Sequence, residues 1–181
     1  MSMTVGMSDK RSPFSLLTRR PIATRLVTDT YWLMINSRFT VAVHLLSLLA
    51  VGGERFPGVP LTSEVASESV NTNPVVVRRI LGSLRKSGIV SSQPGPTGGW
   101  LLEREPDKIS LRDVYHAVQD ETLFSMHHRP PSCHCVIGAN IQHALQGIFE
   151  DAEAAMEEKL GEKTVADVVD AVMARVGTRA G

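Results

Sequence analysis

Apolar residues recur along this chain in short periodic blocks, each bounded by a turn former or a capping residue. From Ser37 to Val51, Phe39, Ala42, Val43, Leu45, Leu46, Leu49 and Ala50 keep the three- and four-residue spacing of a buried helical stripe. Ser37 can cap this helix, and Gly52-Gly53 are expected to stop it. After a loop with Pro57 and Pro60, Thr62 is placed to cap a short helix running to about Ser69, with Val65, Ala66 and Val70 turned inward. Asn71-Thr72 then makes a turn. Asn73-Pro74 is a cap followed by proline at the first helical position, and Val77, Ile80, Leu81 and Leu84 form one face of the helix that Gly88 ends. The period changes at Ile89. Ile89–Gln93 and Trp100–Leu102, joined by the turn formers of residues 94–99, predict two short strands in a hairpin. Helical spacing returns at Leu111, Val114, Tyr115 and Val118, behind the candidate cap Ser110. Past Pro130-Pro131, Ile141, Ala144, Leu145, Ile148, Ala152, Ala155, Met156 and Leu160 predict a long helix over 139–160, with glutamates on its other face. Thr164 caps a last helix carrying Val165, Val168, Val169 and Val172.

Helix, short helix, turn, second helix and hairpin make up the layout of a winged helix-turn-helix, in which the second helix of the pair enters the major groove. The fold class expected is therefore mainly α, with a small β-hairpin as the wing and a long C-terminal helix. A helix that reads base edges needs short polar or apolar groups at its N-terminal tip and arginines for guanine or phosphate. Thr72, Asn73, Pro74, Val75, Val76 and Arg79 suit that tip, and Arg78, Arg85 and Lys86 suit phosphates. Ser37 and Arg38 at the start of the first helix, Thr62 at the start of the second, and Pro96, Thr97 and Gly98 of the hairpin loop complete the candidate DNA-binding set. The same periodicity by itself also fits a structural helix with a solvated basic face. The glycine-rich loop lacks the lysine and Ser/Thr that follow glycine in a nucleotide-binding loop.

Charge sharpens this picture. The 181 residues carry 19 basic and 19 acidic groups, a formal net charge of zero that argues against a polycation. The total conceals opposed segments. Residues 1–40 hold six bases against two acids, residues 74–102 hold four bases and no acid, and residues 139–181 hold eight acids against four bases. A positive reading head joined to an acidic rear gives that distribution. Residues 1–33 show no sustained period and read as a flexible basic arm, and Met34, just before the first patterned segment, could be where translation begins. The longest uncharged apolar stretch, Phe39–Gly53, has fifteen residues. A membrane-spanning helix needs about 20. With no membrane segment and no signal-peptide order of parts, a cytoplasmic location is expected.

The run NTNPVVVRRILGSLRKSGIVSSQPGPTGGWLL, with NSRFTVAVHLLSLLA before it and ISLRDVYHAV after it, resembles the Rrf2 family of bacterial transcriptional regulators. The resemblance covers roughly residues 34 to 175 and is most specific where the reading helix runs into the double-glycine wing. It implies a homodimer on a pseudo-palindromic double-stranded DNA operator, usually as a repressor, with the long C-terminal helix forming most of the dimer contact. The stripe Ile141, Leu145, Ile148, Ala152 and Met156 could also pack within one chain, but the short helices that remain offer little to cover it, which favours a second copy. The division expected is an arm over 1–33, a DNA-binding domain over 34–120, a Cys/His-containing loop over 121–138, and a dimerisation and C-terminal part over 139–181.

That loop holds both cysteines of the chain, Cys133 and Cys135, on either side of His134. Family members with an iron-sulfur cluster hold it with three spaced cysteines in this loop. Two cysteines one residue apart depart from that pattern, and the VIGANIQ that follows is similar to the cluster-free branch, so no cofactor is expected. Three readings of the pair stay open: small apolar residues in a loop, a redox-responsive thiol pair favoured by the neighbouring His134 and Arg129, or metal ligands together with His127, His128 and His134. Two other functional classes compete with the DNA reading. A winged helix can serve as a protein-interaction subunit without sequence-specific DNA binding. An enzyme would rest on the Cys/His group alone, with no well-spaced acid or phosphate loop beside it, and is not expected.

Overall fold

The computed structural model describes residues 37–119, 123–124 and 126–178. The arm expected over 1–33 and the start considered at Met34 lie outside them. Six α-helices and one hairpin follow in order: α1 (Ser37–Arg55), α2 (Ser63–Val70), α3 (Pro74–Lys86), β1 (Val90–Gln93), β2 (Gly99–Leu102), α4 (Leu111–Val118), α5 (Val136–Gly161) and α6 (Val165–Thr178), with a short 3-10 turn at Pro106–Lys108. No helix among the described residues is long and apolar enough to cross a membrane.

Local chemistry sets most boundaries. Thr62 Oγ1 accepts from Val65 N at 3.3 Å and starts α2. Asn71, at φ 50°, ends α2 in the left-handed region that asparagine tolerates better than most residues. Asn73 Oδ1 accepts from Val75 N at 2.8 Å, and Pro74 opens α3. Ser110 and Asp113 satisfy each other's backbone N–H in a capping box at α4, and Thr164 and Asp167 do the same for α6.

The expected stop at Gly52-Gly53 is not where α1 ends. The helix runs through both glycines to Arg55, and Gly52 is buried within it. A glycine inside a helix costs about 1 kcal/mol relative to alanine, less than a large apolar side chain gains on burial, about 1.5–3 kcal/mol. With Leu45, Leu46 and Leu49 buried, packing of the stripe outweighs the local preference. Helix α5 starts earlier than its periodicity suggests, at Val136 rather than Ala139.

The core joins Leu45, Leu46 and Leu49 of α1 to Val77, Ile80, Leu81 and Leu84 of α3, with Ile89, Val90, Ile109, Val114 and Val118 around them. Strands β1 and β2 pair antiparallel, from Val90 opposite Leu102 to Gln93 opposite Gly99. Leu61 then bridges the outer edge of β2, exchanging backbone hydrogen bonds of 3.0 and 2.9 Å with Trp100. Trp100 Nε1 also donates to Ser63 Oγ at 3.1 Å, so the hairpin is tied to the start of α2. Gly99 permits this approach, since a Cβ there would lie 2.6 Å from the Leu61 carbonyl oxygen.

Helix α6 returns to this head. Val165 N donates to Ile109 O at 2.9 Å, Leu111 N donates to Lys163 O at 2.8 Å, and the Val165 side chain is fully buried beside the elements that pack α6 along α1. Helix α5 differs. Its 26 residues include none that is buried, and it leans on the head chiefly through α4. The contacts there are partly polar: His116 Nε2 lies 3.3 Å from Glu157 Oε2, and Glu153 Oε1 accepts from Leu123 N and Phe124 N at 3.1 and 3.4 Å. Phe124 stacks on Phe149 with ring centroids 4.6 Å apart.

Candidate nucleic-acid interface

Helix α3 has two faces of opposite character. Val77, Ile80, Leu81 and Leu84 are buried, while Val75, Val76, Arg78, Arg79, Arg85 and Lys86 face outward. The outward face begins at a helix N-terminus, whose dipole adds positive potential to that of the arginines, while the N–H groups of Val75, Val76 and Val77 are taken by Asn73. No acidic residue occurs between 74 and 102, which spans α3 and the whole wing.

The basic side chains are held in different ways. Arg78 Nη2 meets Glu64 Oε1 of α2 at 3.0 Å, with both side chains more than half exposed. An exposed pair of this kind contributes about 0–1 kcal/mol, so a phosphate could displace the carboxylate at little cost. Arg85 Nη1 donates to Ser92 Oγ at 2.9 Å and links α3 to β1. Lys86 is exposed at the end of the helix. Arg38, in the first turn of α1, has its pKa lowered by burial and then by the positive charge of Arg79. Two guanidinium groups from separate helices thus share one region, where an anion would relieve their repulsion.

At the tip, the structure spends Asn73 on the cap, because its Oδ1 already accepts from Val75 N. Thr72 and Pro74 are half-buried beside it, whereas Val75 is 63% and Val76 43% exposed. Thr62 is likewise engaged as the cap of α2, and Ser37 is the first residue of α1. Beyond β1, Gly98 N donates to Gly95 O at 3.0 Å to form the wing turn, with Pro96 and Thr97 exposed at its end. A Cβ on Gly98 would overlap the Gln93 carbonyl oxygen, so this glycine shapes the loop. Glu64 and Ser92, partners of two interface arginines, were not singled out from the sequence. Both contacts join different elements, and no local pattern marks them.

Cys133, His134 and Cys135 are all exposed, both thiols are free, and Cys135 is the residue from which α5 starts. Of the proposed stripe on α5, Ile141, Leu145 and Met156 are half-buried, while Ile148 is 62% exposed and Ala152 is exposed. Val136 and Ile137, at the start of the same helix, are more exposed still, at 81% and 69%.

A family profile described as an iron-dependent transcriptional regulator, Rrf2, matches residues 35–171. The chain belongs to the Rrf2 family. Its members are transcriptional regulators and not enzymes, and the winged-helix fold with its two-stranded hairpin is the one seen in their structures. Among Rrf2 relatives, YwnA of Bacillus subtilis, named as a candidate HTH-type transcriptional regulator, is 44% identical over 138 residues, covering 76% of this chain and 98% of the relative. A crystal structure of a candidate DNA-binding protein is 39% identical, with a TM-score of 0.57 over 72% of this chain and 97% of that one. The structure of a candidate regulator from Lactobacillus plantarum shares the fold at 23% identity, with a TM-score of 0.61 over 80% of this chain and 98% of the other. These likenesses make the chain a DNA-binding regulator of the Rrf2 type.

The family description raises the matter of iron. An iron-sulfur cluster is held by a set of cysteine thiolates, usually four, and this chain has two, separated by one residue. Among the described residues, no group of three or more His, Cys, Asp or Glu side chains is placed to hold a metal ion. The donor set therefore does not fit a cluster.

Proposed function

We propose that this chain acts as a homodimeric repressor that binds a pseudo-palindromic operator in the cytoplasm and responds to thiol oxidation at Cys133 and Cys135. The observation that carries the DNA part is the outward face of α3, basic and acid-free, beside the wing. In this reading Arg79 meets a base edge or phosphate, and Arg38, Arg78, Arg85 and Lys86 bind the phosphate backbone together with Ser37, Thr62 and the wing tip Pro96-Thr97. The dimer part rests on α5, which carries an apolar stripe with no buried residue and so lacks a complete partner among the described residues. Because α6 packs on the head, the dimer contact is assigned to α5 alone. Two copies would place their reading helices about one DNA turn apart. The thiol part rests on position: the exposed pair sits where the Cys/His loop enters α5, between the reading head and the dimer contact.

Selection of duplexes from a randomised pool, followed by gel shifts at several salt concentrations, tests this reading. Affinity should fall linearly with salt on logarithmic axes, and Lys86→Ala should reduce the slope by about one counterion. Arg79→Ala should cost about 1–3 kcal/mol of specific binding if it contacts a base. Absence of any salt-sensitive binding would sink the DNA reading. For the sensor, a peroxide should change operator affinity of the native chain and leave the Cys133→Ser/Cys135→Ser protein unmoved.

A further inference from the structure

We propose that Val75 and Val76 read the C5-methyl groups of thymines, so that each operator half-site carries thymine where the tip of α3 enters the major groove. The inference rests on the DNA reading given above. Its starting point is that the two valines are 63% and 43% exposed at the second and third positions of a helix whose other valine, Val77, is fully buried. A valine side chain has no hydrogen-bonding atom, so it cannot address the N7, O6, N4, N6 or O4 groups on the major-groove edges. The one apolar feature there is the thymine methyl.

Of the two polar candidates at the tip, Thr72 is half-buried and Asn73 is engaged as the cap. Asn73 Oδ1 accepts from Val75 N at 2.8 Å as the helix cap, so one of its two lone pairs is engaged and its amide plane is set by the start of the helix rather than free to align on adenine. This leaves the valines as the outward groups nearest the bases. Both are β-branched and stiff about χ1 in a helix, so their methyl groups are placed before DNA arrives and little side-chain entropy is lost on contact. Arg79, one turn further along the same helix, supplies charge but cannot distinguish thymine from uracil.

Replacing thymine by uracil removes the methyl and nothing else. Once the randomised pool has yielded a preferred duplex, each of its thymines is changed in turn to deoxyuridine and binding is measured with the full chain. At one or two thymines per half-site the change should weaken binding about fourfold, the effect of about 0.8 kcal/mol for one buried methyl group at 1.4 kcal/mol per tenfold. With Val75→Ala or Val76→Ala protein the penalty at those positions should shrink toward onefold, because each substitution removes one side of the contact. Salt-sensitive binding to a preferred duplex that is indifferent to uracil at every thymine would overturn the inference while the DNA reading stands. A uracil penalty that survives in both alanine variants would overturn the assignment to these side chains. If the pool yields no preferred duplex, the underlying reading fails and the inference goes with it.

Discussion

The reading head and α5 carry apolar residues at the same helical spacing and do opposite things with them. In the head, Leu45, Leu46, Ile80, Leu81 and Leu84 are removed from water almost entirely. In α5, over a helix twice as long as α3, not one side chain is buried, and Ile148 remains 62% exposed. An amphipathic period shows that a helix has a face to cover. It does not show whether the cover comes from the same chain. The head closes its own core from α1, α2, α3, the wing, α4 and the first turn of α6, whereas among the described residues α5 rests chiefly against α4.

Substitution separates the two regions. Leu81→Ala in the head should destabilise the fold by about 2–5 kcal/mol, through lost burial and the cavity left behind; denaturant unfolding followed by circular dichroism measures this. A cost under 1 kcal/mol would mean that the head is not the closed core described. Ile148→Glu on α5 should shift unfolding of the head by no more than about 0.5 kcal/mol, as an exposed substitution does. It should nonetheless weaken self-association at least tenfold, on the order of 1.4 kcal/mol, as measured by sedimentation across a concentration series. Equal destabilisation by Ile148→Glu and Leu81→Ala would erase the contrast.

The smallest effect concerns the link between the regions, where α6 begins. Asp167 accepts from Thr164 N at 2.8 Å and from Thr164 Oγ1 at 3.1 Å, and these hydrogen bonds, the backbone one first, hold its pKa below the ordinary aspartate range. A depressed carboxylate stabilises the fold above its unfolded pKa, and that contribution is lost as pH falls through the folded value. Amide protection in the first turn of α6, the exchange rate relative to that of an unstructured chain at the same pH, should therefore fall as the solution is acidified below the usual aspartate range. Asp167→Asn should flatten that dependence while leaving exchange in the middle of α5 unchanged.

Caps and turns were the most legible features of the sequence. Thr62, Asn73, Ser110 and Thr164 all act as expected, because a cap is a contact over two or three residues and needs no tertiary partner. The end of α1 was misread for the complementary reason: glycine's local preference yielded to packing contributed by other elements. The hairpin was visible in the turn formers of 94–99, but not the added bridge from Leu61 to Trp100, which joins residues far apart in sequence. At the interface, the basic and acid-free character of α3 was legible. The diversion of Arg78 to Glu64 and of Arg85 to Ser92 was not, since neither is encoded by spacing.

Asn73 shows the boundary well. Its place before Pro74 marked it both as a cap and as a reader of bases, two roles that draw on one side chain; the folded chain orients that side chain as the cap, with Oδ1 accepting from Val75 N. Periodicity, capping and charge order thus determined which segments become helices and which face of α3 turns outward, and the match of the sequence to the Rrf2 family placed the chain among its regulators. Only the tertiary structure decided which polar atoms are already engaged, where α6 docks, and that the described residues bury no side chain of α5. The reason is physical: propensity and capping act over a few residues, while burial and hydrogen-bond satisfaction depend on what distant segments bring into contact.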